Sequence, residues 1–529
     1  MKKVLLVVID GCPYRVLKSA VETHKLPAFA ALAAVGVLSP CTAVFPSITP
    51  AATTSIVTGC YPYEHGIGGA CWYDSEQDRV LYFGDDAGVV WNKGVGDYFR
   101  DFVVGLNKER IRVDTIFQAV EGAGRRAASL NYLVFRGPVQ HTVKTPLPVS
   151  LLPGVPSEAE ILGPSIAVLG DFLGVQLETG ETLRTNGGLF HRFGFEDEYT
   201  GDLLVKMAAA RAFPDLTVAY FPNFDYTSHD VGPEEAAFVL EGVDKALRGL
   251  VSAYGAVEHL LAEMCVVITA DHAHANIAEV AETAAIDLRA LLSEFKVVET
   301  GREWQSDEDV IAAPNLRAAQ VYFRRPTRGA VRRAIDAILS DERVDQVAWM
   351  ASLLEEGNPG YFVAKQGGGL LQFWAAEDGA SRASSVTDSY GGRWECRGDL
   401  SVVDANVEDG RLVYGSYPNA FERLAGALAF AESGHLWVTA LPGYEFLNPP
   451  TKVHPGGGSH GSLHELDSIA PLLIAGFPAG VQVPLEPRTV DVMPLCLSAM
   501  GLEPRPRQVG AMHLVPRGGS ANGFSGRGR

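Results

Sequence analysis

Short runs of apolar residues recur along the chain, and a polar or glycine residue soon follows each of them. Runs of this length and composition predict strands that are buried on both faces, as in a parallel sheet. In such a sheet, ligands gather at the carboxyl ends of the strands, where these following residues fall. The four clearest runs are residues 4–9 before Asp10, 217–221 before Asp225, 266–269 before Asp271, and 471–475 before Gly476.

Helical periodicity is found between these strands. Alternating strands and helices predict an α/β fold, here a doubly wound, mostly parallel sheet with helices on both faces. The clearest helix follows Pro233, where apolar residues recur at steps of three and four, which is the spacing of one buried helix face. These apolar positions are Ala236, Val239, Val243, Leu247 and Leu250.

Two stretches fit this α/β pattern poorly. Residues 137–200 are rich in Pro and Gly and predict an irregular excursion. Residues 285–430 mix a helix near 328–340 with short strand-like pieces and predict an inserted α+β cap domain. We therefore expect a core domain in two parts, 1–284 and 431–513, separated by this cap. The last residues, 514–529, predict a flexible tail whose LVPRG segment resembles a protease site of a recombinant tag.

Charge and composition narrow the classes of partner. The chain has 529 residues, and 44 Lys and Arg against 63 Asp and Glu give a net charge of −19. This charge argues against binding to nucleic-acid polymers or to an anionic membrane. A small phosphorylated substrate remains compatible, because a bound metal can supply local positive charge. No run of about 18 uncharged apolar residues predicts a membrane span, so the expected location is cytoplasmic.

Thr49 stands directly before Pro50 in the segment FPSITPAATTSIVTG. This pair suits the start of a helix, because Thr caps free backbone N–H groups and Pro fits the first helical position. A hydroxyl among unpaired N–H donors can also receive a phosphoryl group. On the local sequence alone, a helix cap is the simpler interpretation.

Carboxylates and imidazoles cluster at the predicted strand ends. Asp10 closes the first strand, where it could equally cap the next helix. Asp225 and His229 are four residues apart and could converge on one metal, although such spacing also arises by chance. Asp271 and His272 close a fully apolar strand, a costly place for an acid unless it meets a cation or a donor.

A further histidine, His460, lies in a Gly-rich loop before the last strand. His274, His454 and His464 are nearby and could replace it as a ligand. Mixed Asp and His sets suit zinc or a similar divalent ion, and there are too many such residues for one ion. A two-metal centre would stabilise both the attacking and the leaving oxygen in a displacement at phosphorus.

Six segments in chain order carry a family resemblance: VVIDG, SITPAATTSIVTG, YEHGI, the Asp225/His229 pair, ITADH and SHGSL. Together they resemble the alkaline phosphatase superfamily, and within it the type I phosphodiesterase/nucleotide pyrophosphatase branch. The resemblance covers roughly residues 1–115, 200–280 and 430–505 and leaves both irregular stretches unmatched. It implies the same doubly wound α/β core as the strand pattern.

The resemblance also implies two divalent ions, with zinc expected and manganese as the alternative. One would be bound by Asp225, His229 and His460; the other by Asp10, Asp271 and His272, with the Thr49 oxygen beside it. Thr49 would then be the nucleophile, forming a phospho-threonine that water hydrolyses.

One departure from the family pattern concerns the substrate. Three residues after Thr49 the family carries an Asn, expected to bind a phosphate oxygen, and this chain has Ala52. The loss of one such donor would cost about 1.5–3 kcal/mol of stabilisation, which weakens the inference to nucleotide substrates. Trp72 and Tyr73 follow the Thr49 helix and could stack on a base or pack in the core.

The sequence therefore predicts a two-metal phosphohydrolase that cleaves phosphodiester or pyrophosphate bonds of a small substrate. A phosphomonoesterase or a phosphonate hydrolase would use the same metal centre and is the first alternative. More distant alternatives are a mutase of the cofactor-independent phosphoglycerate type and a non-catalytic binding protein on a decayed phosphatase core.

Overall fold

The structure is a computed structural model that describes residues 2–305, 307–376 and 385–504. The predicted tail 514–529 lies outside these residues. Two large sheets organise the described chain: a seven-stranded sheet, here the core sheet, and an eleven-stranded second sheet.

The core sheet is mostly parallel, as the apolar runs predict. In spatial order its strands are Val37–Thr42, Ile469–Ala475, Met264–Thr269, Lys3–Ile9, Leu216–Phe221, Ala127–Leu130 and Ile166–Val168. The strand Ile469–Ala475 runs antiparallel to both of its neighbours, and the other neighbouring pairs are parallel. All four apolar runs singled out in the sequence are strands of this sheet.

The central strand Lys3–Ile9 explains why helices cover both faces. Successive side chains of a strand point to opposite sides, and here both sides are apolar. Leu6 and Val8 join one buried cluster, while Leu5 and Val7 join another. The predicted doubly wound α/β core is thereby confirmed.

The helices alternate with the strands along the chain, and the periodic segment after Pro233 is one of them. It begins as a 3-10 turn, Glu235–Val239, and continues as an α-helix, Leu240–Tyr254, that buries Val243, Leu247 and Leu250. The other α-helices of four or more residues are Tyr14–Glu22, Pro27–Val35, Thr49–Thr58, Pro62–His65, Ala87–Lys93, Val95–Arg100, Ile116–Gly122, Asp197–Ala209, Asn223–Val231, Val257–Glu263, Ala281–Ala284, Leu288–Leu291, Arg328–Leu339, Ala420–Leu428, Glu465–Ser468 and Val492–Ala499, and Asp101–Arg110 is a π-helix.

The second sheet is built from the middle of the chain. Its strands in spatial order are Val297–Val298, Val310–Asn315, Ala318–Phe323, Leu436–Ala440, Val344–Met350, Tyr361–Lys365, Leu370–Ala375, Arg393–Gly398, Val386–Asp388, Arg411–Tyr414 and Ala405–Glu408. Helix Arg328–Leu339 packs on one face of this sheet and helix Ala420–Leu428 on the other. The domain boundaries given above stay a prediction.

The Pro- and Gly-rich stretch 137–200 contains short elements. Val139–Lys144 pairs with Glu158–Gly163, Val175–Gln176 pairs with Thr182–Leu183, and Ile166–Val168 forms the edge of the core sheet.

Three more two-stranded ribbons pair Cys71–Asp74 with Arg79–Tyr82, Ala275–Asn276 with Gly458–Ser459, and Ala285–Asp287 with Glu445–Leu447. None of the helices within the described residues is both long enough and apolar enough to cross a membrane.

Candidate metal centre

Three side chains meet where the first core strand ends. The Thr49 hydroxyl lies 3.1 Å from His272 Nε2 and 3.5 Å from Asp10 Oδ1. His272 Nε2 is also 3.5 Å from Asp10 Oδ1. The other oxygen of Asp10 accepts a hydrogen bond from the Tyr220 hydroxyl, which fixes the carboxylate. Thr49 is half-buried, whereas Asp10 and His272 are buried, so the hydroxyl is the accessible member of this group.

Thr49 begins its helix, but it does not cap it. The helix runs Thr49–Thr58, its N-cap residue is Ile48, and no side chain caps the first turn. The prediction that Thr49 is the cap is therefore wrong, because its hydroxyl points to Asp10 and His272 instead. Uncapped N–H groups at a helix start favour anions such as a phosphoryl group, so the hydroxyl lies at a suitable place for phosphoryl transfer.

Asp271 is fully buried and only half of its carboxylate has partners. Oδ1 accepts hydrogen bonds from the backbone N–H groups of Gly11 and His272, both at 3.0 Å. Oδ2 lies 3.6 Å from His272 Nε2 and has no hydrogen-bond donor within the described residues. A buried carboxylate oxygen without a donor is costly unless a cation binds there.

Asp225 is surrounded by imidazoles. Its Oδ1 is 2.9 Å from His274 Nε2 and 3.4 Å from His460 Nε2, and its Oδ2 is 3.6 Å from His229 Nε2. Asp225 and His229 lie on one helix, Asn223–Val231, as their spacing of four suggested. The ring of His460 also stacks on the ring of His272, with centroids 3.6 Å apart. The two groups of side chains are therefore contiguous.

Backbone carbonyls orient three of these imidazoles. Nδ1 of His229 contacts Gly458 O at 2.9 Å, Nδ1 of His460 contacts Ser47 O at 2.8 Å, and Nδ1 of His272 contacts Ala273 O at 3.1 Å. A proton on Nδ1 leaves the Nε2 lone pair free and aimed at the carboxylates. This arrangement is typical of histidines that bind a metal.

The electrostatics of the cluster call for a cation. Burial lowers the pKa of His229 to about 3 and lowers the pKa of His460 well below its usual value, so both imidazoles are neutral at pH 7. Burial, followed by the charges of Asp271 and Asp225, raises the pKa of Asp10 well above its usual value. The recorded ion-pair partners of Asp10, Asp225 and Asp271 in the described chain are all histidines. Carboxylate oxygens and neutral imidazoles are a donor set that fits zinc or a similar divalent ion.

The structure brings most of the sequence-predicted ligands together, in two groups that could hold an ion. Within each group the ligand atoms lie within 4.8 Å of one another. The groups are Asp10, Asp271 and His272, and Asp225, His272, His274 and His460. His229 is near Asp225 but lies outside both groups, and His274, which the sequence offered only as a substitute, lies inside one.

Other candidates from the sequence have structural roles. His464 accepts a hydrogen bond from Leu466 N at the start of a short helix and does not join either group. Trp72 is fully buried and stacks on Phe83, so core packing accounts for it. Ala52 is fully buried with Tyr61 and Val490 in a small apolar cluster. The expectation that Ala52 removes a phosphate donor stays a prediction.

Two supporting contacts escaped the sequence analysis. Tyr220 holds Asp10 from the neighbouring strand, a pairing that only the sheet register reveals. His454 packs against His229, with ring centroids 4.2 Å apart, and its Nδ1 is 3.0 Å from the buried carboxylate of Glu445. Glu445 lies outside every recognised segment, and no local pattern marks it.

Comparison with known proteins places this site in a family. A sequence model of the family described as type I phosphodiesterase / nucleotide pyrophosphatase matches residues 4–463. Murine ectonucleotide pyrophosphatase / phosphodiesterase 5, in an inactive form with AMP, has a TM-score of 0.53 at 14% identity, with 95% of this chain and 96% of that chain covered. The human protein of the same name has a TM-score of 0.54 at 13% identity, with 96% of each chain covered.

A bacterial enzyme has a similar fold. Phosphonoacetate hydrolase from Sinorhizobium meliloti, in complex with phosphonoacetate, has a TM-score of 0.53 at 15% identity, with 94% of this chain and 96% of that chain covered. At these identities the likeness to solved structures concerns the fold.

Proposed function

The chain belongs to the type I phosphodiesterase/nucleotide pyrophosphatase family and is a hydrolase of that type, and we propose that it cleaves phosphodiester or pyrophosphate bonds of a small, nucleotide-like substrate through Thr49. The observation that carries this proposal is the position of the Thr49 hydroxyl, which is accessible, begins an uncapped helix and lies within 3.5 Å of Asp10 and His272. That a protein of the same fold was solved with AMP supports a nucleotide-like substrate.

Two divalent ions, zinc with manganese as the alternative, would be held by the two groups of side chains. Asp10, Asp271 and His272 would hold the ion beside Thr49, and Asp225 with its imidazoles would hold the second. When bound, such ions supply positive charge that favours the deprotonated hydroxyl and offsets the charge of the phosphoryl oxygens.

Thr49 Oγ forms a bond to phosphorus while the bond from phosphorus to the leaving oxygen breaks. The hydroxyl proton passes to solvent, and the leaving oxygen departs as an anion or takes a proton from water. Free N–H groups of the first helical turn orient the phosphoryl oxygens. A water molecule then attacks phosphorus, the bond to Oγ breaks, Thr49 regains a proton, and the second proton of the water goes to solvent.

A pair of isosteric substitutions on one helix tests the role of Thr49. Thr49→Val removes the nucleophilic hydroxyl and should reduce turnover of a nitrophenyl phosphodiester by at least roughly a thousandfold. Thr54→Val is the matched control, because the Thr54 hydroxyl donates only to Pro50 O, at 2.6 Å, and is buried in the same helix. Acid-quenched wild-type protein should carry a phosphoryl group on the peptide that contains Thr49. Equal turnover in the two variants would contradict the proposal.

Phosphonate or monoester hydrolysis is the second candidate, because a phosphonoacetate hydrolase has the same fold. Zinc-loaded protein should be compared on thymidine nitrophenyl phosphate, nitrophenyl phosphate and phosphonoacetate at equal concentration. The proposal requires the highest kcat/KM on the diester and its loss in Thr49→Val. A higher value on phosphonoacetate or on the monoester would assign the chain to that class while keeping Thr49 as the nucleophile.

A further inference from the structure

His274 is an imidazole in the centre that the family resemblance does not use. It is fully buried, and its Nε2 is 2.9 Å from Asp225 Oδ1, the shortest contact that a histidine of the described chain makes with this carboxylate. Its ligand atom lies within 4.8 Å of those of Asp225, His272 and His460. His274 therefore belongs to the same group of side chains as Asp225, His272 and His460.

The backbone around His274 leaves space for this ring and fixes its place. Gly11 has φ +65°, and a Cβ at Gly11 would lie only 2.5 Å from His274 Nε2, so a larger residue would collide with the ring. The ribbon that pairs Ala275 with Ser459 brings His274 and His460 side by side. The guanidinium of Arg15 donates a hydrogen bond to His274 O at 2.8 Å, which fixes the main chain at this residue.

The spacing of the nitrogen and oxygen atoms around Asp225 is that of ligands sharing one ion. Two atoms that are each about 2.0–2.1 Å from one zinc lie roughly 3.3 Å apart at a tetrahedral angle and roughly 2.9 Å apart at a right angle. The contacts of Asp225 with His460 and His229, at 3.4 and 3.6 Å, are close to the first value. The contact with His274, at 2.9 Å, matches the second, as in an ion with more than four ligands.

The remaining nitrogen of His274 bears on the same question. Nδ1 is buried and has no hydrogen-bond partner among the described residues. The role of this ring therefore depends on Nε2, whose polar contact within the described residues is with Asp225 Oδ1.

We propose that His274 binds the same ion as Asp225, His229 and His460, so that this ion has four protein ligands, of which three are imidazoles. The inference rests on the metal centre of the proposed function. An added imidazole ligand favours zinc over manganese or magnesium, which prefer oxygen donors. With four protein ligands, the ion accepts a substrate oxygen only by becoming five-coordinate.

Cobalt-substituted protein provides a direct count of the imidazole ligands. Each histidine bound to Co²⁺ through Nε2 contributes one strongly shifted Nδ1–H proton resonance, and the Nδ1–H groups here are buried or bonded to carbonyls. The expected set comes from His229, His272, His274 and His460. His274→Gln should remove one of these four signals. A wild-type spectrum that lacks the fourth signal would overturn the inference, whether or not the variant folds.

Zinc affinity, measured by competition with a chromogenic chelator, gives the second test. His274→Gln should weaken one of two zinc sites by more than the roughly 10–100-fold typical of losing an outer hydrogen-bond partner. His435→Gln is the matched control, since its ring accepts a hydrogen bond from Phe323 N in the second sheet and lies outside both groups, and both zinc affinities should stay within about threefold of wild type. A loss of about 100-fold or less in His274→Gln would overturn the inference and leave a hydrogen bond to Asp225 as the role of His274.

The same titration separates this inference from the proposed function. If wild-type protein binds zinc and Asp10→Asn weakens one site while His274→Gln weakens neither, only the ligand role of His274 fails. If wild-type protein binds no zinc, the proposed function fails, and the role of His274 fails with it.

Discussion

Two aspartates, one at each sheet, are equally buried and differ in what surrounds them. Asp345 of the second sheet is 1% exposed, and it accepts hydrogen bonds from the Tyr417 hydroxyl at 2.8 and 3.0 Å and lies 3.5 Å from the Lys365 ammonium. Asp271 at the core sheet is 0% exposed, and its Oδ2 has no donor within the described chain. Neighbouring side chains compensate the charge of Asp345. One oxygen of Asp271 has no such partner within the described chain and is open to a bound cation.

The same contrast holds for the neighbours of these residues. In the second sheet Arg317 is fully buried and paired with Asp467, a residue that follows the His460 loop. At the core sheet, Asp10 and Asp225 have imidazoles and a tyrosine as their nearest partners. The buried charges at the second sheet are thus paired with opposite charges. These buried carboxylates at the core sheet have no such cation within the described chain, and unpaired buried charges of this kind are typical of a functional site.

The largest effect should come from exchanging Asp for Asn in each region. Asp271→Asn should reduce diester hydrolysis by more than the roughly 10²–10³-fold that follows loss of one oxyanion-hole donor, because the variant lacks a proposed metal ligand. It should leave the metal-free protein as stable as wild type or more so, since an uncompensated charge disappears.

Asp345→Asn is the opposite case and the control for Asp271→Asn. It should leave kcat/KM within about threefold and should cost about 1–3 kcal/mol of unfolding free energy, because a charged hydrogen-bond acceptor is weakened. Activity assays and thermal unfolding of both metal-free variants measure these effects. Equal destabilisation of the metal-free protein by Asp271→Asn and Asp345→Asn would contradict the claim that the two carboxylates differ in their compensation.

A buried ion pair that joins the two regions should give the next largest effect. Arg317→Met leaves Asp467 buried without its cation and should cost about 3–5 kcal/mol of unfolding free energy. The main-chain N–H of residue 317 still donates to His460 O, at 2.9 Å, so zinc affinity should change much less than stability. Unfolding by denaturant and zinc competition measure the two quantities, and a larger loss of zinc affinity than of stability would contradict this assignment. Replacing Asp467 by Asn in the same chain should restore part of the stability.

Two histidines, the buried His65 near the core sheet and the half-buried His435 at the second sheet, should produce the smallest effect. Burial lowers the pKa of His65 to about 3 and of His435 to about 4, and each accepts a backbone N–H at Nδ1. Because these folded-state values lie below the unfolded value of about 6.5, the unfolded chain binds more protons, and stability is lost as the pH falls below 6.5.

From pH 7 to pH 5 each histidine should contribute a loss of roughly 2 kcal/mol. His65→Asn and His435→Asn retain an acceptor for the backbone N–H and should each reduce this pH dependence relative to wild type. Thermal unfolding of metal-free protein at several pH values measures the difference, which excludes metal release as its cause. An unchanged pH dependence in both variants would show that these imidazoles are protonated in the folded chain.

The core sheet could be predicted because its information is local. The apolar runs that end at Asp10 and Asp271 are buried on both faces, and such runs identify themselves in the sequence. The second sheet was predicted only as an insertion with a helix and short strands. Strands such as Arg393–Gly398 are half-polar and pair across long separations, so their order depends on tertiary contacts that no local pattern records.

The site shows the same limit at the level of single side chains. The convergence of Asp10, Thr49 and His272 followed from their places at strand and helix ends. The entry of His274 into the Asp225 group did not, because it depends on the room that Gly11 leaves and on the ribbon with Ser459. Sequence order fixes which residues reach the edge of a sheet, while packing decides which of them point to one place.

The most direct test is the metal content of the purified chain after zinc loading and removal of free zinc, measured by elemental analysis together with protein concentration. Three buried carboxylates with imidazole partners predict two zinc ions per chain, and Asp271→Asn should retain fewer. Binding of no zinc by correctly folded wild-type protein would contradict the central claim that this edge of the core sheet is a metal centre.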